Sequence, residues 1–195
     1  HIVRNSEARP HAGQRPRANP IRRSVIARRY EMPSRMEVAY GPHALSTGGR
    51  LEGYAVAMAL PEVWKFRFDP EMLVRYSPWA RSSFDDSSWM PIRTTACWQS
   101  QGVYANGPGV YRLSFEIPGA LDPAKQQVLL AFGGLGSGQG HVYLNGECVE
   151  WLVPVVDVTA KIKPGQGNTL AIVCLNRQGP GGLMGRVKLL TRPMP

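Results

Sequence analysis

Long apolar runs are missing from this 195-residue chain. No stretch approaches the roughly 18 consecutive apolar residues that a membrane-spanning helix needs, so no membrane partner is expected. Cysteine is scarce, with Cys97, Cys148 and Cys174 far apart. That count and spacing exclude a CxxC zinc site and do not demand a disulfide. All three sit among apolar residues, where cysteine commonly serves as a small buried filler, and the redox compartment stays open. Lysine is absent from residues 1–60, which carry ten Arg and four Glu, a balance of +6. The remaining residues hold thirteen basic and ten acidic side chains, only +3. Histidine is nearly absent after residue 43, where His141 stands alone.

The early basic stretch "RPHAGQRPRANPIRRSVIARRY" mixes Arg with Pro, Gly and Asn and has no apolar period. It buries too little to offset its ordering entropy and is expected to be irregular. A basic arm can bind phosphates. This one has no interleaved aromatics and no recognition motif, so a nucleic-acid partner is only an alternative. The first residue is His rather than Met, which suits a fragment or a processed product, and no signal peptide is visible.

What is present, from about residue 54 onward, is a series of short β-rich runs separated by turn residues. "YAVAMAL" and "VWKFRF" are divided by Pro61-Glu62. "VYRLSFEI" alternates, with Tyr111, Leu113, Phe115 and Ile117 on one face and Arg112, Ser114 and Glu116 on the other. That is the pattern of a half-buried strand. "QVLLAF" and "TLAIVCLN" are apolar on both faces, and the latter is expected to be central; "RVKLLT" follows it. "HVYL-NG-ECVEW" reads as a hairpin on a type I′ Asn-Gly turn. A regular two-residue loop pairs Leu144 with Glu147, Tyr143 with Cys148, Val142 with Val149 and His141 with Glu150. Val142, Leu144, Val149 and Trp151 then share one face. Short strands, Gly/Pro turns and no helical period predict an all-β antiparallel sandwich over residues 54–195, preceded by an irregular basic region over residues 1–53.

The order of the pieces "WKFRFDP", "FDDSSWMPI", "WQSQG", "GVYRLSFEIP", "LLAFGG", "HVYLNG", "DVTAKIKPGQGNTLAI" and "GPGGLMGRVKLL" resembles the sugar-binding domain of glycoside hydrolase family 2 β-galactosidases and β-glucuronidases. The resemblance covers residues 61 to 191. It implies a galactose-binding-like jelly roll that accompanies an immunoglobulin-like domain and a TIM barrel, with the catalytic carboxylates in the barrel. Related modules occur in esterases and other polysaccharide-degrading proteins. The implied partners are a glycan or polysaccharide and a glycosidase catalytic domain, and the implied location is secreted or periplasmic. This chain departs from the family at Gly136, where an acidic residue is common, and in its short segment around Trp151.

The chemistry-bearing residues favour binding over catalysis. A glycosidase needs two carboxylates about 5 to 10 Å apart across a cleft. Asp85 and Asp86 sit in a turn, where they are expected to bond nearby backbone N–H groups. Asp157 is expected to order the turn before "KIKPG", while Glu147 and Glu150 belong to the hairpin. There is no GxSxG, and "GGLGSGQG" lacks the ending of a phosphate loop. No cofactor is expected. A structural calcium held by carbonyls would leave no mark in sequence. Trp64 and Trp89 are expected to pack in the core. "WQSQGVYANGPG" combines aromatic faces with amides, the pairing a sugar site needs. Trp98, Gln99, Gln101, Tyr104 and Asn106, with Trp79 from a neighbouring loop, are therefore the candidate carbohydrate contacts. Gly102, Gly107 and Gly109 would let a ligand approach the backbone. Two alternatives remain: an accessory domain that orients a catalytic domain without binding sugar, and the basic-arm nucleic-acid binder.

Overall fold

Asn145 and Gly146 adopt positive φ, 54° and 90°, and turn one strand back on the next as the Asn-Gly pair predicts. The computed structural model that places them describes residues 51–69, 78–136 and 139–194. The expected irregularity of the basic N-terminal region lies outside these residues, apart from a turn at 51–53. The described strands are β1 (Ala55–Ala59), β2 (Val63–Phe68), β3 (Met90–Arg93), β4 (Gly107–Glu116) and β5 (Gln126–Phe132), then β6 (Gly140–Leu144), β7 (Glu147–Trp151), β8 (Val155–Asp157), β9 (Gly167–Asn176) and β10 (Val187–Pro193).

They form two antiparallel sheets, one ordered β1-β10-β5-β8 and the other β3-β2-β4-β9-β6-β7. The sheets pack face to face as the expected sandwich. Between them lie Trp64, Phe66, Tyr111, Leu130, Ile172 and Leu189, each no more than 2% exposed. β9 is central, pairing with β4 over ten residues and with β6 over five. Its apolar character on both faces follows from that position.

β4 alternates as read. Tyr111, Phe115 and Ile117 face the core, Leu113 packs against it, and Ser114 and Glu116 are exposed. Arg112 breaks the expectation, being only 1% exposed on the outer face of the six-stranded sheet. The segment 78–89 lies across that face like a strap. Its Trp79 and Trp89 pack on Val110 and Val173, with Phe84 and Tyr143 alongside. Arg112 fastens the strap from below. Its Nε donates to Asp86 Oδ2 at 2.9 Å, Nη1 to the carbonyls of Trp79 and Arg81, and Nη2 to that of Phe84 at 3.4 Å. A planar guanidinium is suited to such a fork of acceptors. Trp64 and Trp89 are both buried as expected, but Trp89 belongs to this outer cluster rather than to the space between the sheets.

The hairpin register needs one correction. Leu144 pairs with Glu147 and Tyr143 with Cys148 as expected, but the next pairs are Val142 with Glu150 and His141 with Trp151. Val149 is an extra residue, a β-bulge, and no sequence marker announces it. Beyond the bulge every side chain changes face. Val142 and Leu144 are buried, whereas Trp151 stands on the outer face beside His141, 61% exposed.

Candidate functional site

The connection 94–106 joins β3 to β4 and carries most of the expected carbohydrate contacts. Trp98 leads into a 3-10 turn, Gln99–Gln101, which Gly102 ends with φ 87°. The Trp98 N–H donates to Gly181 O at 3.0 Å and its carbonyl accepts from Val103 N–H, so the loop folds inward against the 177–186 connection. The indole is wholly buried, and Nε1 donates to Tyr111 Oη at 2.6 Å. The same hydroxyl accepts from Leu183 N–H at 3.1 Å. Burial pushes the Tyr111 pKa well above the usual phenol value, which keeps the hydroxyl neutral. Gly182 makes this junction possible: its φ is +93°, and a Cβ there would lie 2.3 Å from both Trp98 Nε1 and Tyr111 Oη.

The two glutamines read as sugar-binding amides are turned to the backbone. Gln99 accepts from Gly181 N–H at 3.0 Å and donates to Gly179 O at 2.7 Å. Gln101 accepts from Arg93 N–H at 2.7 Å and donates to Arg93 O at 3.0 Å and Ala96 O at 2.8 Å. They lash the loop to its neighbours. Trp79 is only 9% exposed and lies in the outer-face cluster, under the Arg67 guanidinium at 5.1 Å, rather than beside Trp98. The space that Gly109 was expected to leave for a ligand is filled by Phe66 and Trp98. Tyr104, 55% exposed, and the exposed Asn106 are the members of the expected set that keep open access to solvent. Just beneath them, buried Asn176 donates to Gly179 O at 3.3 Å and Ala105 O at 3.5 Å, while its Oδ1 has no hydrogen-bond partner.

Asp85 bonds a nearby backbone N–H as expected, whereas Asp86 is turned to a side chain 26 residues away. Asp85 accepts from Ser87 N–H at 2.9 Å, which lowers its pKa, while Asp86 holds Arg112. Asp157 accepts from both the N–H and the hydroxyl of Thr159 and from Gln127. Partial burial raises its pKa, and these three donors outweigh that and lower it overall. Glu147 pairs with Lys161, Glu62 with Arg93 and Arg186, and Glu150 accepts from Trp151 N–H at 2.8 Å. An open groove of about 770 Å³ runs past Cys148, Asp157, Thr159 and Lys161. Its carboxylate and ammonium are those already committed. Among the described residues, no three His, Cys, Asp or Glu side chains are grouped to hold a metal, and no helix is long and apolar enough to cross a membrane.

Two features escaped the sequence reading. Arg112 sits in a polar slot of a regular alternation, and only the strap buries it. Trp151 and His141 stack with ring centroids 4.4 Å apart and planes at 34°, which the unmarked bulge alone brings about.

No family model and no curated protein sequence matches the chain. Solved structures do share its fold. A glycosyl hydrolase family 2 member from Bacteroides cellulosilyticus superposes with a TM-score of 0.56 at 20% identity, over 69% of this chain and 20% of that one. A β-glucuronidase from Ruminococcus gnavus, in complex with uronic deoxynojirimycin, gives a TM-score of 0.60 at 19% identity, over 73% of this chain and 30% of that enzyme. The same enzyme with uronic isofagomine gives 0.60 at 19% identity, over 73% and 29%. The chain spans 20–30% of the length of these enzymes. Its fold is that of a domain-sized part of family 2 glycosyl hydrolases, as the order of its strands implied.

Proposed function

We propose that the chain is a non-catalytic, carbohydrate-binding-like module of, or derived from, a glycoside hydrolase, its sandwich formed by residues 54–195. The observation that carries this reading is the match of a single sandwich to only 20–30% of the length of family 2 enzymes. In such a division of labour, the remainder of the enzyme supplies the chemistry. The engagement of Glu62, Asp86, Glu147 and Asp157 by ion-pair or hydrogen-bond partners supports it. The partners that follow are a glycan and a glycosidase catalytic domain.

Within this reading the ligand edge is the loop bearing Tyr104 and Asn106. Tyr104→Ala is expected to weaken glycan binding by about 1–3 kcal/mol, the scale of one aromatic contact. Its exposed ring contributes little to packing, so the melting temperature should stay within about 2 °C of the parent. Isothermal titration with oligosaccharides alongside thermal unfolding measures both quantities. Unchanged binding together with early unfolding would make the loop structural.

A second reading has its own support. Trp98, Gln99 and Gln101 are all spent on internal contacts. That favours an accessory domain that orients a catalytic domain without touching sugar. Absence of binding to every glycan tested, with retained docking to the catalytic part, would select it.

A further inference from the structure

We propose that Trp151 and His141 form a carbohydrate-binding platform on the outer face of the six-stranded sheet, suited to the flat face of a β-linked neutral polysaccharide. The proposal rests on the carbohydrate reading above but not on the Tyr104 loop.

The placement of Trp151 is the first argument. In a regular hairpin it would share the inner face with Val142 and Leu144, where a tryptophan is easily buried. The extra residue Val149 reverses it, and the ring emerges 61% exposed. Bulges re-aim side chains in this way beside functional sites. The result runs against the hydrophobic effect, since a large aromatic surface stays in water. Leu152, the next residue, takes the buried position instead and donates its N–H to Gly140 O at 3.0 Å.

Pre-orientation is the second argument. The indole stacks on His141, which meets Tyr143 edge-on at 6.3 Å. Tyr143 in turn packs against the Trp79–Trp89 cluster under the strap. A row of rings therefore runs from a buried cluster out to one exposed face. A ring held this way loses little freedom when a ligand covers it.

The surroundings select the ligand class. A protein partner calls for a contiguous apolar patch of several hundred Å². Near Trp151 the exposed apolar neighbour is Val153, whereas Val56, Val63 and Met90 are on β1, β2 and β3, away from the β7 edge. What borders the indole on this face is the polar His141 imidazole, whereas the Glu150 carboxylate caps the Trp151 backbone N–H from a position paired with inward Val142. One flat apolar surface with a hydrogen-bonding imidazole at its side matches a pyranose, with its C–H face on the indole and a hydroxyl within reach of the imidazole nitrogens. Sugars with all-equatorial hydroxyls present the flattest C–H faces, which points to β-1,4-linked glucose-type polymers.

Affinity electrophoresis of the full chain in native gels tests this, with hydroxyethylcellulose as the neutral probe and polygalacturonate as a polyanion. Hydroxyethylcellulose is expected to retard the parent. Trp151→Ala should weaken that retardation roughly ten- to hundred-fold without lowering the melting temperature. His141→Ala should weaken it less, and Tyr104→Ala should leave it in place. Equal retardation of the parent and Trp151→Ala overturns the proposal. If only Tyr104→Ala relieves retardation, the loop reading stands and this one falls. If neither polymer retards the parent, the platform falls, while the Tyr104 loop is judged by the oligosaccharide titrations. Retardation by polygalacturonate alone, abolished by salt, means charge attraction and also overturns the platform. So does a parent dimer in size-exclusion chromatography that Trp151→Ala converts to monomer.

Discussion

Replacing Arg112 by methionine is expected to destabilise the sandwich by about 3–5 kcal/mol, the range found when one partner of a buried ion pair is removed. The guanidinium is 1% exposed and answers the Asp86 carboxylate and three strap carbonyls at once. Methionine fills much of the volume but leaves those acceptors facing an apolar side chain. For a domain of this size the loss corresponds to a fall of roughly 10 °C in melting temperature. Lysine should recover little of it, because one ammonium cannot reproduce a planar fork of donors. Denaturant unfolding followed by tryptophan fluorescence reads the effect, since Trp79 and Trp89 sit in the strap. A cost below about 1 kcal/mol would mean that ring packing on Val110 and Val173 holds the strap unaided.

Trp98→Ala is expected to cost a similar amount, about 3–5 kcal/mol, as large aromatic deletions from cores do. The indole contacts Phe66 at 5.3 Å between centroids and supplies one of the two donors to Tyr111 Oη. Removing it opens a cavity beside Gly109 and Gly182, both shaped to its outline. Glycan binding by the protein that remains folded should be unaffected. A variant that melts like the parent yet no longer binds would reinstate Trp98 as a ligand contact.

These two residues also mark where the sequence was legible and where it was not. Local chemistry was readable. The Asn-Gly turn, the alternation of β4 and the central position of β9 each follow from a period or a turn residue, and each is found. β8 is three residues long and offers no period to detect. Arg112 occupies a polar position of a regular alternation, and nothing near it in sequence records that a segment some thirty residues earlier covers it. Trp98, Gln99 and Gln101 have the look of ligand groups in sequence because loops with aromatic and amide side chains commonly face water. Here the loop is drawn inward by Gly181, Gly179 and Arg93, partners distant in sequence or invisible to pattern. Trp151 lies on the face opposite to the one a regular hairpin predicts, because one inserted residue in a two-residue period inverts all that follows. The resemblance to family 2 domains is independent of these residues, since it rests on the order of strands rather than on any one side chain.

The pairing of β1 with β10 bears on how the domain carries load. Ala55 lies opposite Thr191, and Arg192 covers the Tyr54 ring at 4.6 Å, so the chain enters and leaves the sandwich side by side. Tension applied through flanking segments would pull two neighbouring antiparallel strands apart from their common end. Their hydrogen bonds would then break one after another rather than all together in shear. A domain connected in this way is expected to yield at low force and to act as an extensible joint. Single-molecule pulling through residues 51 and 194 should show β1 peeling away first, and a high-force, all-at-once rupture would contradict it.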